Sequence, residues 1–223
     1  GFVDRSIPRG LGIDARVPDV SRMAPQPKMG AGHFVGRLTG DLSDIELAGR
    51  ASVDDLSLAG YTLANAQGPV SVRFAKKELT VKADAAGKGG GGKGVLGALI
   101  GASPRARITL SRLADGRILI RSLDGTGAGV TLKAEGSRTL LSGPRFSGDL
   151  TVSNLAAARP AASGLLKARW SAARGGKGKP WAFTADAKGT TFATGMAELD
   201  RLLGQSPRLQ AAAAYKDGAW AFS

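Results

Sequence analysis

The stretch 105–136, RARITLSRLADGRILIRSLDGTGAGVTLKAEG, constrains the fold more than any other part of the chain. In its first run Ala106, Ile108 and Leu110 alternate with Arg105, Arg107, Thr109 and Ser111. In the second, Ile118 and Ile120 take one face, and Arg117 and Arg121 take the other beside Leu119 and Leu123. In the third, Val130, Leu132 and Ala134 oppose Thr131, Lys133 and Glu135. A period of two specifies a strand with one apolar and one wet face. Asp115-Gly116 and Asp124-Gly125 separate the runs, and Asp-Gly favours tight hairpins because it tolerates positive φ. The reading is a meander of antiparallel strands with apolar side chains gathered on one face.

The same pattern extends in both directions. Pro8, Pro18, Pro25 and Pro27 interrupt any ladder near the start, so 1–32 reads as an extended lead-in with one edge strand around 11–17. From His33 onward the chain reads as a single repetitive sheet through 223. Short strands are expected at 34–38, 44–47, 51–58 and 61–64, with Ala59-Gly60 as a turn. Val70, Val72 and Phe74 then alternate with Ser71 and Arg73, and Leu79, Val81 and Ala83 with Thr80, Lys82 and Asp84. Lys76-Lys77-Glu78 is the charged turn between them. Further strands fall at 147–155 and 164–172, and Trp181, Phe183, Ala185 and Ala187 share one phase. Trp170 and Trp181 are expected to face each other across their hairpin. The segments 79–87, 130–136 and 183–189 look like degenerate copies of one unit, as in a sheet that grows in one direction.

Helical signals are few. Val95 to Ile100 reads as one or two apolar turns stopped by Gly101 and Pro104. The segment 196–203 places Met196, Leu199, Leu202 and Leu203 at helical spacing, with Gly204 as its stop and Pro207 beyond. The run GKGGGGKG at 87–94 reads as a flexible or irregular stretch. It lacks the G-x-x-x-x-G-K-[ST] spacing of a phosphate loop.

Catalytic signatures are thin. The one histidine, His33, has no nucleophile elbow to serve, and it reads as a surface residue. No cysteine is available for zinc, disulfide or nucleophile. The doublet Asp54-Asp55 lies in an alternating strand, which sends its carboxylates to opposite faces. The expectation is no catalytic site, no metal and no cofactor. A net charge of +13 points to an anionic partner such as lipid headgroups, lipopolysaccharide or nucleic acid. Nucleic acid is not expected, because the basic residues are scattered and the aromatics follow the apolar phase. No apolar run is long enough to cross a membrane as a helix.

What remains is the apolar face. Only 5% of the residues are aromatic, 33 are glycine, and small aliphatics dominate. Such a face either packs on a second sheet or curls over as an open groove. The predicted groove lining is Val70, Val72, Phe74, Leu79, Val81, Ile108, Leu110, Ile118, Ile120, Val130 and Leu132.

Residues 115–136, 36–63 and the LDRLLGQSPRL segment at 199–209 resemble the TamB family of translocation and assembly module components, in its alphaproteobacterial style and within the wider AsmA-like group. The resemblance implies a mainly β chain, an elongated, curled antiparallel or mixed meander sheet of β-taco type, with one or two short helices. It implies a periplasmic location and a parent anchored in the inner membrane of a Gram-negative bacterium, of which this chain is an internal piece. The implied role is non-enzymatic. Phospholipid acyl chains would pass along the groove between inner and outer membrane. The alternative is a scaffold for assembly and secretion of outer-membrane β-barrel proteins, working with the module's outer-membrane barrel partner.

Overall fold

The computed structural model describes residues 10–22, 28–58, 60–139, 143–176 and 178–222. They form one sheet of thirteen strands whose spatial order follows the chain. The strands are β1 (Leu11–Val17), β2 (Gly32–Asp41), β3 (Asp44–Leu58), β4 (Tyr61–Ala75), β5 (Glu78–Gly92), β6 (Arg105–Arg112) and β7 (Ile118–Thr126). They continue as β8 (Val130–Thr139), β9 (Gly143–Val152), β10 (Ser163–Arg174), β11 (Trp181–Ala193), β12 (Arg208–Lys216) and β13 (Ala219–Phe222). All neighbours pair antiparallel, so the sheet is a pure meander and contains no mixed pairing. It is not closed into a barrel. At ordinary strand spacing it is about 60 Å wide.

Three short helices, α1 (Gly94–Ile100), α2 (Leu155–Ala158) and α3 (Ala197–Leu203), lie in the links between described strands, one more than the periodicity predicts. The unforeseen α2 is only four residues long, too short to show a helical period, and the Asn154 side chain caps it by accepting from the Ala157 N–H.

Several sequence expectations need correction. The long strands β3, β4 and β5 each run fifteen residues, where the sequence suggests shorter pieces. The apparent breaks are glycine and proline positions inside continuous strands. The β4–β5 ladder skips Gly68 and Pro69, where a Cβ on Gly68 would strike the Asp84 carbonyl and Pro69 has no N–H to donate. The Gly-rich run is strand as far as Gly92, with a left-handed kink at Gly89 (φ +66°). Glycine is required at Gly90 because a Cβ there would collide with the Tyr61 hydroxyl.

Asp124-Gly125 is not a turn. Both residues sit inside β7, and the chain turns at 127–129 instead. Leu123 joins Ile118 and Ile120 on the apolar face because a bulge at Arg121 shifts the phase by one residue. Trp170 lies opposite Ala185 and Trp181 opposite Arg174, so the tryptophan pair does not form, although both rings share the apolar face.

The connections alternate between two rims. The hairpin rim carries the links β2–β3, β4–β5, β6–β7, β8–β9, β10–β11 and β12–β13. The helical rim carries the other six links, including all three helices and a 3-10 turn at Val20–Arg22.

Here the chain has its small closed core. Tyr61, Leu63, Leu99, Val152 and Ala162 are buried, and α1 packs on α2 and β5. The Tyr61 hydroxyl donates to the Gly101 carbonyl at 2.7 Å, and burial pushes the phenol's pKa up. The last carbonyls of α1, at Leu99 and Ile100, accept from the N–H groups of Gly129 and Ala128 (2.9 and 3.1 Å), which removes the orphan acceptors of a helix end.

Among the described residues no second layer covers the rest. The accessible surface is 14804 Å², whereas a compact globule of this mass exposes about 9,500 Å². A sandwich with two packed sheets is therefore not the architecture of the described residues.

Candidate functional site

Directly opposed residues of an antiparallel ladder point to the same face, so the register alone maps each face across the sheet. One row runs Leu38, Leu47, Val72, Val81, Leu110, Ile120, Gly136, Phe146, Ala172, Phe183, Ala213 and Phe222. It crosses β2 to β13 without a polar side chain. The eleven sequence-predicted lining residues all fall on this face. Val70 stands beside Ala83 and Ile108, Phe74 beside Leu79, Ile118 one row from Ile120, and Val130 and Leu132 beside Val152 and Leu150. Ten of them are half-buried, and Phe74 is exposed. They share the face but do not converge on one point; they form a strip along the sheet.

Glycines thin this strip where rings lie flat. The Phe34 ring occupies the space that a Cβ on Gly36 or Gly49 would need. Toward the C-terminal edge the face becomes aromatic, in line with the expectation that the aromatics follow the apolar phase, and the rings meet in one run. Phe146, Trp181 and Phe183 follow one another at 6.1 Å, Phe183 meets Trp220 at 5.2 Å, and Tyr215 and Phe222 flank Trp220 at 4.9 and 6.0 Å. Such contacts favour offset and tilted rings and add to burial.

A concavity of 660 Å³ on this face lies at the hairpin rim. Leu110, Ile118, Ile120, Pro144, Phe146 and Trp181 make its apolar wall. Arg138 and Arg174 also line it. Arg112 shares their row, opposite Ile118, which is itself opposite Arg138. The sequence reading missed these arginines. The signal was present for Arg112, which continues the phase of Ile108 and Leu110.

The opposite face follows different chemistry. One row reads Asp84, Arg107, Asp124, Lys133, Asp149, Arg169, Asp186 and Gln210, with the charge alternating strand by strand. Arg107 donates to Asp84 at 2.6 and 3.1 Å, Arg169 lies 3.5 Å from Asp149, and Gln210 donates to Asp186 at 3.1 Å. The Asp84 hydrogen bond pushes the Arg107 pKa up. Nearby, Arg73 grips Asp44 with two hydrogen bonds, which lower the carboxyl's pKa. These pairs are exposed, so each adds little stability but favours one register. Ser111 is the one fully buried polar side chain among the described residues, 1% exposed, and the bulged Arg121 folds back over it with Nε donating to Oγ at 2.9 Å. Depressions of 630 and 450 Å³ on this side are lined by polar and charged groups such as Arg121, Glu135 and Ser147.

His33 lies on the same wet side, with Nε2 2.8 Å from the Asp14 carboxylate and partly open to solvent. Among the described residues no three His, Asp or Glu side chains come together as a metal site, and no helix is long and apolar enough to cross a membrane. No family model, curated protein or solved structure matches the chain. The functional reading therefore rests on the two faces and their rims.

Proposed function

We propose that this chain is a non-enzymatic segment of a TamB-like envelope protein, and that its apolar face carries or shields phospholipid acyl chains between inner and outer membrane. One observation carries the reading. A continuous apolar strip spans β2 to β13, with no second layer on it among the described residues. Leaving that much hydrocarbon surface in water is costly at about 25 cal/mol per Å². Acyl chains are a suitable cover because they are apolar along their length and conform to a strip rather than a pocket. In this reading the segment works in the periplasm, within a parent anchored in the inner membrane and partnered by the module's outer-membrane barrel protein.

Native mass spectrometry with lipid extraction tests the proposal. The purified chain should retain phospholipid. Ile118→Asp and Val130→Asp should lose it while the sheet still melts cooperatively. A wild-type chain that neither retains nor takes up phospholipid would sink the reading.

A second reading has its own support. β13 covers only Ala213–Lys216 of β12, so the outer edge of Arg208 to Ala212 has no strand partner among the described residues. An open edge accepts an added strand. This favours a scaffold that holds strands of outer-membrane β-barrel clients. Saturable binding of a client strand peptide, blocked by proline at Ala211, would support it, and failure of such peptides to bind would remove it.

A further inference from the structure

From β6 to β13, the register puts only three charged residues on the apolar face: Arg112, Arg138 and Arg174. All three are arginines and all lie in one row at the hairpin rim. They sit on alternate strands, β6, β8 and β10, with Ile118 and Pro144 between them. Alternate strands are about 10 Å apart, a gap that two guanidinium side chains can close together. No ion pair engages any of the three among the described residues. Arg174 has one hydrogen bond, from Nε to the Lys179 carbonyl at 2.8 Å.

The contrast with the other face gives this row its meaning. There, cations stand opposite aspartates strand after strand, as Arg107 does with Asp84 and Asp124. Among the described residues of β6 to β13, the apolar face offers the rim arginines no acid. These guanidiniums reach solvent, so water hydrates them beside the hydrocarbon until an anion replaces it, and their planar forks match phosphate oxygens. Directly below the row lie Leu110, Ile120 and Phe146, and these form the wall of the 660 Å³ concavity that Arg138 and Arg174 also line. An occupant that suits both halves has a phosphate head and hydrocarbon tails.

We infer that Arg112, Arg138 and Arg174 form a headgroup site for a phosphate-bearing lipid, whose chains lie along the apolar strip with the phosphate held at the hairpin rim. This rests on the acyl-chain reading and adds to it a fixed orientation and a selectivity. The trough discriminates by headgroup at one rim and only by hydrophobicity elsewhere.

The test compares two lipids with identical chains, dioleoyl phosphatidic acid and dioleoylglycerol. Each is delivered from neutral maltoside micelles and scored by native mass spectrometry. Wild-type occupancy should favour phosphatidic acid by about tenfold or more, the effect of one charge-assisted hydrogen bond. The triple variant Arg112→Gln, Arg138→Gln, Arg174→Gln should bring the ratio close to one and leave dioleoylglycerol binding unchanged. Raising the salt should compress the wild-type ratio, a readout that needs no variant. Equal binding of the two lipids by the wild type would overturn the headgroup site and leave the acyl-chain reading standing. Loss of binding of both lipids would remove both readings. Glycerol 3-phosphate binding as tightly as phosphatidic acid would overturn the inference in favour of a site for free phosphate anions. A dimer that neither lipid dissociates would overturn it in favour of a second copy as the cover.

Discussion

The two rims of this sheet end the same strands in opposite ways. At the helical rim, α1, α2 and the 127–129 loop fold over the strand ends, and Tyr61, Leu63, Leu99 and Val152 leave solvent. At the hairpin rim the links between strands are short, and the apolar face runs out to them uncovered. There it ends in Arg112, Arg138, Arg174 and the rings of Trp181, Tyr215 and Trp220. One rim concentrates packing energy and the other presents chemistry. A sheet with a single layer has few places to bury side chains fully, and this chain uses one edge for that and keeps the other free.

The sharpest test of this division is truncation at each rim. Leu63→Ala or Leu99→Ala should destabilise the chain by about 2–4 kcal/mol. Ile118→Ala on the open face should cost only about 1 kcal/mol. Urea unfolding measures both, and equal losses would break the comparison. Next in size is Gly90→Ala, which forces a methyl against the Tyr61 hydroxyl and should cost about 1–3 kcal/mol, visible as a lower Tm.

At the hairpin rim the expected sign reverses. Lys76 and Lys77 both hold positive φ, 52° and 64°, where side chains with a Cβ are strained. Lys76→Asn with Lys77→Gly should therefore stabilise by about 1 kcal/mol in the same urea assay, without touching the apolar face. A destabilised double variant would mean that the lysines make contacts this turn needs.

The smallest effect is local. The Thr194 hydroxyl and then its backbone N–H hold the Asp200 carboxyl below the ordinary aspartate value, tying the start of α3 to the end of β11. A lowered carboxyl pKa stabilises above the unfolded value, about pH 4, and that contribution is lost as pH falls through the folded value. Hydrogen exchange at 196–204 should accelerate in acid before exchange in β4 does. Asp200→Asn should remove most of that pH dependence.

Much of this architecture was legible because alternation survives burial on one side only. The alternating runs within β4 to β8 keep most apolar residues on one phase, and that alone assigned all eleven strip residues to one face. The failures have physical causes. The Arg121 bulge flips the phase within β7, and no residue type announces a bulge. Asp124-Gly125 has turn chemistry, but Asp124 takes its place opposite Arg107 and Lys133, and Gly125 opposite Leu132. The Gly-rich end of β5 reads as a linker until Tyr61 is seen to occupy the space its side chains would need. Opposition of Trp170 and Trp181 assumed a longer link than the real one, because pairing continues past Trp170 to Arg174, opposite Trp181. The arginine row was hidden because a basic residue near a strand end reads as surface, and only the register across five strands collects three of them.

The strictly sequential strand order has a mechanical consequence. Each strand is hydrogen-bonded only to the strands before and after it in the chain, and β1 and β13 lie at opposite edges. A tension applied between the two ends of the chain loads these bonds a few at a time, as a zipper is opened, and never shears a whole ladder at once. Stretched between two fixed points, the chain should therefore lengthen by releasing one hairpin after another at low force, and the strands still paired should keep their register and their faces.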